Sequence, residues 1–471
     1  MKFRNGLLLG GAFLAGVAAL PASGLITRTL GPSFGILPAL AQDAATSAGS
    51  GNADTYRLLS LFGDVFERVK ADYVDPVTSK QLIYNALNGM LSGLDPHSDY
   101  MNPSQYNDMQ VQTRGAFGGL GLEVTEDQGF IRVVTPIDGT PAAKAGIKPG
   151  DLIVALDGKT VEGLSLNDAV NRMRGPPGST ISLTIKRDGV NNPIEVKLTR
   201  EVIHVQIVHQ KLYGDVGYIR LAEFDETASS GIRKAVAALK QQAHGNIKGY
   251  ILDLRNNPGG LLDQAVAVAN DFMTQGEIVS TRGRHAEDDQ RWDATPGEDI
   301  IGNAPLVVLV NDGTASAAEI VSGALQDNRR AVILGRRTFG KGSVQTVIPL
   351  PGDNGAIRLT TARYYTPSGR SIQGLGIKPD VIVAETPKPA LQFGPAHESD
   401  LNHTLSNTGG VPAAAGPPPR TDLPPIAKEI PAKPPAGWPA YDPAKPSTDF
   451  QLQQGLKLVQ AMAAQSTATA R

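Results

Sequence analysis

Hydrophobic residues recur with helical spacing in two stretches of the N-terminal part of the chain. Leucine, phenylalanine and valine residues stand three and four positions apart between Asp54 and Val69, and a second stripe runs from Ser79 to Ser92. This spacing gathers apolar side chains on one face of an α-helix. It predicts a helical N-terminal module over residues 42–112, whose stripes we expect to carry contacts with a second copy of the chain.

Short alternating strands separated by turns replace the helical pattern over residues 113–200. A glycine-rich segment leads into the first strand, an amphipathic helix passes through Val170, and two strands, Ile181–Lys186 and Ile194–Leu198, close the region. This order resembles a PDZ domain, although any small β-rich domain with tight turns shows part of it. The resemblance implies that backbone N–H groups of the glycine-rich loop bind a peptide's terminal carboxylate while the adjacent strand pairs with the peptide. The residues of that loop are Gly118, Gly119, Leu120 and Gly121.

Strands and helices alternate over residues 201–384. Gly249–Leu254 and Leu306–Val310 are short, mostly apolar runs, and helical segments follow at Leu261–Phe272 and Ala317–Gln326. Regular strand–helix alternation is typical of a sheet covered by helices. We therefore predict an α/β core over this region.

Residues 385–447 are rich in proline and small side chains. Such a segment cannot bury enough apolar surface to fold alone, and we expect a disordered, solvated tether. Helical periodicity returns over residues 448–471, where a helix too short to be stable alone should dock on another surface, such as a second copy of the chain. The predicted fold class is a multidomain α/β protein with a helical N-terminal module, a PDZ-like domain, an α/β serine-protease core, the Pro-rich tether and a C-terminal helix.

The first 41 residues have the pattern of an export signal. Lys2 and Arg4 precede an apolar run, Leu7–Leu20, of signal-peptide length, and Ala39-Leu40-Ala41 matches the signal-peptidase cleavage pattern. The long spacer between them also fits an uncleaved inner-membrane anchor. With either arrangement the rest of the chain is exported, and we expect it in a bacterial periplasm.

Composition narrows the classes of function. The chain of 471 residues has no cysteine, which excludes disulfides, thiolate zinc sites and a cysteine nucleophile. A formal net charge of −2, an aromatic content of 5% and the absence of a Lys/Arg-rich run give no electrostatic footprint for nucleic acid. His204 and His209 have the wrong spacing for two ligands on one helical face. We therefore expect no metal, no cofactor and no nucleic-acid partner.

Two short segments carry residues suited to hydrolysis. Ser316 lies in a small-residue turn, Asn311–Glu319, that runs into a helix, and Lys341 stands between glycines in Thr338–Gln345. A serine attacks a carbonyl only when another group takes its proton, and a lysine can do so if burial lowers its pKa. A shift from about 10.4 to near 7 costs roughly 4–5 kcal/mol, so the lysine needs a dry pocket. In an extended segment Gln345 shares a face with Lys341, where its amide could hold the amine.

Both segments also have other interpretations. Ser316-Ala-Ala-Glu319 matches a capping box, a structural role that is compatible with a nucleophilic one. Gly335–Gly342 nearly matches the phosphate-binding G-x-x-x-x-G-K-[ST] loop but has glycine where the magnesium-binding hydroxyl would stand. Gly31-Pro-Ser33-Phe-Gly35 matches the nucleophile-elbow pattern by chance, because it lacks the flanking strand and helix.

A third segment, Asp253–Gly260, runs from a predicted buried strand into a helix. Its glycines leave backbone N–H groups at a helix N-terminus, which suits an anion or an oxyanion. An ordinary strand–turn–helix connection would look the same in isolation. Its position ahead of the serine and lysine segments favours the oxyanion interpretation.

Residues 54–384 together resemble the carboxyl-terminal processing proteases, or tail-specific proteases, a Ser/Lys peptidase family. The motifs that carry the resemblance are Leu94–Ser98, Gly118–Gly121, Asp253–Gly260, Thr314–Ala317, Thr338–Gly342 and Tyr364–Gln373. The resemblance implies an exported serine endopeptidase with Ser316 as nucleophile, Lys341 as general base and Gln345 as the residue that orients the base. It also implies that the backbone N–H groups of Gly260 and Ala317 bind the oxyanion.

The same resemblance implies partners and regulation. A PDZ domain would engage the C-terminus of the substrate and gate the active site. The partners expected are protein or peptide substrates with a free C-terminus, an activating adaptor and further copies of the chain. The alternative is a PDZ-containing peptide-binding adaptor with an inactive core, against which the presence of Ser316, Lys341 and Gln345 argues.

Overall fold

The computed structural model describes residues 41–127, 129–385, 396–407 and 420–469. The predicted export signal therefore lies outside the described residues, except for Ala41. The described part of the chain divides into two compact units, the first ending at Ser79 and the second beginning at Lys80. No helix among the described residues is long and apolar enough to cross a membrane.

Both helices predicted for the N-terminal module are present. The helices of the described residues are α1 (Ala41–Asp72), α2 (Ser79–Ser92), α3 (Pro103–Arg114), α4 (Pro141–Lys144), α5 (Leu166–Met173), α6 (Ala228–Gln242), α7 (Leu262–Asn270), α8 (Ala317–Asp327), α9 (Ile426–Glu429) and α10 (Phe450–Thr469). Three short 3-10 helices lie at Ala286–Asp288, Glu398–Asp400 and Pro446–Thr448.

The strands form three larger sheets and one two-stranded ladder. They are β1 (Asp99–Met101), β2 (Ala116–Gly119), β3 (Leu122–Asp127), β4 (Phe130–Pro136), β5 (Leu152–Leu156), β6 (Lys159–Thr160), β7 (Thr180–Lys186), β8 (Ile194–Thr199), β9 (Glu201–His204), β10 (Val208–Tyr213), β11 (Val216–Leu221), β12 (Gly249–Asp253), β13 (Glu277–Arg282), β14 (Gln290–Asp293), β15 (Leu306–Val310), β16 (Val332–Gly335), β17 (Ser343–Pro349), β18 (Ala356–Tyr365) and β19 (Val381–Ile382).

The region expected to resemble a PDZ domain is a small β-rich unit with its own core. Its sheet has the strand order β3-β4-β5-β7-β8, with β6 paired to β5, and β2 pairs separately with β9. Ile153, Leu183 and Ile185 from the sheet are buried together with Ala169 of α5. Strand β3 pairs only with β4 among the described strands, so its outer edge is available for another strand.

A six-stranded sheet organises the predicted α/β core. Its order is β10-β11-β12-β15-β16-β19, and the strands from β11 to β19 run parallel. Both faces are covered, which explains why β12 and β15 are buried along their whole length. Because Asp253 of β12 lies opposite Leu309 of β15, the loops that follow these two strands emerge side by side at one edge.

A second sheet supplies the other wall of this edge. It has the order β1-β18-β13-β14, and β17 pairs antiparallel with β18. Strand β17 begins at Ser343, two residues after Lys341. Strand β1 pairs with the first residues of β18, which brings the segment Leu94–Ser98 to the same sheet.

The C-terminal helix packs on its own subunit. Leu458 and Val459 of α10 are buried against Ile251 of β12 and Val307 of β15, on the sheet face opposite to α6, α7 and α8. The surface on which α10 was expected to dock is thus the sheet of its own chain, and a contact with a second copy stays a prediction. A parallel sheet needs cover on both faces, and α10 provides it for the second face.

Parts of the Pro-rich segment also contact the core. Arg420 donates to the Ala331 carbonyl at 2.7 Å, and the Trp438 ring lies 4.9 Å from that of Phe450 between centroids. The solvated tether expected for 385–447 thus makes local contacts with the core, while most side chains of residues 431–447 are exposed. Its residues 386–395 and 408–419 lie outside the described part of the chain.

Candidate active site

Ser316 occupies a strained turn between β15 and α8. Its backbone has φ 53° and ψ −118°, which is unfavourable for a residue with a side chain. Neighbouring hydrogen bonds hold the turn, since Ala315 N–H donates to the Asn257 carbonyl at 2.9 Å and Thr314 Oγ1 to the Leu254 carbonyl at 2.8 Å. Backbone strain that is held by surrounding hydrogen bonds is typical of functional positions. Here these bonds hold Ser316 at the N-terminus of α8.

Glu319 connects the turn that carries Ser316 to the lysine loop, residues 338–342. Sequence reasoning missed this role. Its Oε2 accepts the N–H groups of Ser316 and Lys341, both at 2.9 Å, while Oε1 accepts Gly340 N–H at 2.8 Å and the Thr338 hydroxyl. The capping-box prediction that Glu319 binds back to the start of the helix is thus confirmed, because its carboxylate accepts the backbone N–H of Ser316. Burial raises the pKa of Glu319 to about 7, although these hydrogen bonds act in the opposite direction.

Tyr364 makes a second tie between the two segments. Its buried hydroxyl donates to the Ser316 carbonyl at 3.1 Å and contacts the Lys341 carbonyl. A buried tyrosine hydroxyl normally needs such a partner. The sequence placed Tyr364 in a recognised motif, but nothing in the local pattern indicates that it reaches residues 48 and 23 positions away.

Lys341 is half-buried at the cleft of the site, so part of its environment is desolvated as its predicted role needs. Burial lowers its pKa, and the positive charge of Arg358 adds to the effect. The flanking glycines permit close packing, as predicted: Gly340 has φ 97°, and a Cβ at Gly342 would lie 2.7 Å from the Gln373 backbone nitrogen.

Gln345 lies on β17, and its side chain does not bind the Lys341 amine. Its Nε2 donates to the hydroxyls of Ser343 and Thr360, each at 3.0 Å. The bond to Ser343 confirms that alternate residues of β17 share a face. The expected hydrogen bond to Lys341 is absent among the described residues, and the two hydroxyls hold the amide through its Nε2.

The glycines of the third segment bring its backbone against the serine. Gly259 has φ 105°, and a Cβ there would lie 2.7 Å from Ser316 Cβ. Gly260 has φ 139°, and a Cβ would lie 2.2 Å from the Phe224 carbonyl oxygen. Only glycine fits either position. Within the described residues, the N–H groups of Gly260, which precedes α7, and of Ala317, which begins α8, donate to no protein group, so both remain available.

These groups converge on one cleft of about 300 Å³. The predicted residues that line it are Ser316, Ala317, Gly260, Lys341 and Gln345. Apolar side chains, among them Leu262 and Val344, form part of its wall. The cleft therefore combines the hydroxyl of Ser316, whose backbone is strained, the Lys341 amine of lowered pKa, and two free backbone N–H donors. These are the groups needed for acyl transfer.

The glycine-rich loop of the β-rich unit lies elsewhere and does not line this cleft. Gly118 and Gly119 belong to β2 and pair with Val202 and Glu201 of β9. Leu120 is buried, and Gly121, with φ 75°, leads into the edge strand β3. Only the second half of the predicted loop thus lies outside a strand, next to the free edge of β3.

Comparison with known proteins gives two family matches and several similar proteins. Residues 215–383 match the model of peptidase family S41, and residues 118–198 match that of the PDZ domain. The carboxy-terminal-processing protease of Bartonella bacilliformis is 53% identical over 410 residues, covering 86% of this chain and 89% of that protein. The carboxyl-terminal-processing protease of Synechocystis sp. is 40% identical over 351 residues, covering 72% and 80%. Among solved structures, a photosystem II D1 C-terminal processing protease is 34% identical with a TM-score of 0.40, covering 68% of this chain and 92% of that one.

Proposed function

The chain belongs to peptidase family S41 as a carboxy-terminal processing protease with a PDZ domain, and we propose that it is an exported serine endopeptidase. It recognises the C-terminal tail of a protein substrate and hydrolyses a peptide bond upstream of that tail. One observation carries the proposal: the strained Ser316 and the half-buried Lys341, whose pKa is lowered, line a single cleft with free N–H donors.

In the proposed mechanism, neutral Lys341 accepts the proton of the Ser316 hydroxyl as Ser316 Oγ attacks the scissile carbonyl carbon. The N–H groups of Gly260 and Ala317 stabilise the resulting oxyanion. Lys341 then donates its proton to the leaving amine, and an acyl-enzyme ester remains on Ser316. A water molecule, deprotonated by Lys341, hydrolyses this ester and restores the free serine.

Gln345 is proposed to orient the base. Its presence in the cleft supports this role, and its amide is held by Ser343 and Thr360 in the arrangement described here. In the proposed active arrangement, the Gln345 Oε1 atom accepts a hydrogen bond from the Lys341 amine. Orientation of the base therefore requires a small rearrangement of the Gln345 side chain.

Recognition of the tail is assigned to the PDZ domain. The free edge of β3 offers backbone groups to an extended peptide, and Gly118 and Gly119 at the end of β2, with Leu120 and Gly121, precede that strand. In our proposal the peptide adds to this edge and its carboxylate binds the loop. Binding there shifts the enzyme toward its active arrangement.

The proposed setting is the periplasm, with the N-terminal segment acting as an export signal or as an inner-membrane anchor. The basic start at Lys2 and Arg4, the apolar run and Ala39-Leu40-Ala41 support export. We propose that the enzyme forms a homo-oligomer and responds to an activating adaptor. No nucleic-acid partner is proposed.

The proposal is tested with two forms of one peptide substrate, which differ only in a free or an amidated C-terminus. The free-acid form should be cleaved faster, mainly through a lower KM, because amidation removes the charge that the loop binds. Ser316→Ala should cleave neither form. Equal rates for both forms would exclude tail recognition, and cleavage by Ser316→Ala would exclude the proposed nucleophile.

A further inference from the structure

A buried carboxylate from the Pro-rich segment lies against the lysine loop. Glu398 begins the 3-10 helix Glu398–Asp400 and is fully buried. Its backbone N–H donates to the Phe339 carbonyl at 3.0 Å, two residues before Lys341. A carboxylate is rarely buried without specific partners, because desolvation opposes its charge.

Two side chains bind this carboxylate. His97 Nε2 lies 2.9 Å from both Glu398 oxygens, and Gln373 Nε2 donates to Oε1 at 3.0 Å. The other end of the same amide, Gln373 Oε1, accepts the N–H of Gly342 at 2.9 Å. Since an ionised carboxylate only accepts, Glu398 determines which end of the Gln373 amide faces the loop.

The space around the amide leaves little room for another arrangement. Gln373 is buried, and its backbone packs on Gly342 at the position where a Cβ would be 2.7 Å away. Gly374 N–H donates to the Gly340 carbonyl at 2.8 Å. Gly340 and Gly342, on the two sides of Lys341, are therefore both hydrogen-bonded to residues 373–374, and Glu398 holds the side-chain amide of Gln373.

We propose that Glu398 is a positioning residue for the general base, acting through the Gln373 amide on the Lys341 loop. The inference rests on the proposed Ser316–Lys341 mechanism. It reaches beyond the peptidase region of the chain, because the match to family S41 ends at residue 383. His97, from the N-terminal side of β1, completes the arrangement by binding the same carboxylate.

The charge of Glu398 offers a readout that a purely structural role does not. The charged groups that act on Lys341 are Arg358 from β18, Glu319 from α8, Asp95 before β1 and Glu398 itself. Arg358 lowers the pKa of Lys341, whereas the three carboxylates raise it. Removing the Glu398 charge should thus lower the pKa of Lys341 and make the neutral base available at lower pH.

Two substitutions separate the geometric effect from the effect of charge. Glu398→Asp keeps the charge but withdraws the carboxylate by one methylene, so kcat should fall about tenfold, the scale of one lost buried hydrogen bond, with KM and the pH profile unchanged. Glu398→Gln keeps the length but removes the charge, so the acid limb of kcat/KM should move about 0.5–1 unit lower. Asp400→Asn is the matched control, since within the described part of the chain its carboxylate accepts from the N–H groups of Ala396 and His397 and does not contact Gln373 or the Lys341 loop.

The measurement is a pH–rate profile of the full chain and each variant on one free-acid peptide, with thermal unfolding as the check of folding. The control should superimpose on the unsubstituted enzyme. If Glu398→Asp keeps the full kcat, or folded Glu398→Gln keeps the acid limb in place, the inference is overturned. If Glu398→Gln does not fold, Glu398→Asp alone decides. Cleavage by Ser316→Ala would instead show that the underlying mechanism, and not only this inference, is wrong.

Discussion

At the scale of single residues, the chemistry depends on Lys341 losing its proton at working pH. Burial and Arg358 lower its pKa from the ordinary 10.5, so neutral amine becomes available at lower pH than for an exposed lysine. Because only the neutral amine accepts a proton, kcat/KM should rise with pH as Lys341 deprotonates. Lys341→Arg should not cleave at any pH in that profile, since arginine stays protonated. Cleavage by Lys341→Arg with the original pH dependence would assign the base to another residue.

Tyr364 is expected to matter for rate more than for affinity. Its hydroxyl contacts the carbonyls of both Ser316 and Lys341, and Tyr364→Phe would remove both contacts, although the Ser316 carbonyl still accepts the N–H groups of Glu319 and Ile320. The loss should cost about 1–3 kcal/mol, seen as a fall in kcat with little change in KM. Tyr441→Phe serves as control, because Tyr441 is largely exposed. Steady-state kinetics of both variants that matched the unsubstituted enzyme would contradict a role for Tyr364 in holding the two segments together.

Glu319 predicts a specific dependence of stability on pH. Its folded-state pKa of about 7 lies above the ordinary 4.5, so the folded state retains a proton that the unfolded state releases. The free energy of unfolding should therefore decline between about pH 4.5 and pH 7, by roughly 3 kcal/mol from this group. Glu319→Gln should remove that part of the decline. Urea unfolding at pH 5 and pH 8 tests the prediction, and an equal decline in enzyme and variant would contradict it.

The site was predictable from sequence only in part, for a physical reason. Ser316, Lys341 and the glycines have local signatures, because a turn at a helix start and a lysine between glycines are visible in a few residues. Glu319 matched a capping box, but its bonds to the lysine loop depend on tertiary packing. The orientation of Gln345 depends on the hydroxyl of Thr360 on the adjacent strand, which spacing along the chain does not show.

At the scale of elements, periodicity predicted the strands and helices of the core, since burial of one or both faces leaves a regular pattern. It did not predict which surface a helix covers. The apolar stripe of α10 fits a contact with a second subunit as well as a contact with its own sheet. The proline-rich composition of residues 385–447 likewise concealed stretches that pack on the core, because such stretches fold only against an existing surface.

Helix α10 should be required for the stability of the single subunit. Leu458 is fully buried against the central sheet, so Leu458→Ala should lower the free energy of unfolding by about 2–5 kcal/mol. Lys457→Ala, at the exposed neighbouring position, should have little effect. Sedimentation should give the same mass for both variants, because the contact lies within one chain. Loss of oligomer mass in Leu458→Ala without loss of stability would show that the helix serves assembly instead.

At the scale of the whole molecule, the PDZ domain is joined to the rest of the unit at a few defined contacts. Arg174, which ends α5, donates to Asp108 of α3 at 3.0 Å, and its guanidinium lies 5.0 Å from the centre of the Phe117 ring. Gly175 N–H donates to the Gly118 carbonyl at 3.1 Å. The end of α5 thus contacts both α3 and β2, which contains Gly118 and Gly119 of the glycine-rich loop. A peptide bound at that loop, as proposed, would lie close to these junction contacts.

Gating by the tail can be distinguished from simple anchoring by separating the tail from the scissile bond. If the tail only anchors the substrate, a short free-acid peptide added in trans should not help cleavage of an amidated substrate. If the tail shifts the enzyme toward its active arrangement, the same peptide should stimulate that cleavage, with saturation at its own affinity for the PDZ domain. Gly121→Val should abolish stimulation, because its backbone has φ 75° and a Cβ would lie 2.3 Å from the Thr140 side chain. The measurement is the initial rate of cleavage of the amidated substrate. If the added peptide lowers this rate or leaves it unchanged with the unsubstituted enzyme, gating is excluded and the PDZ domain serves only as an anchor.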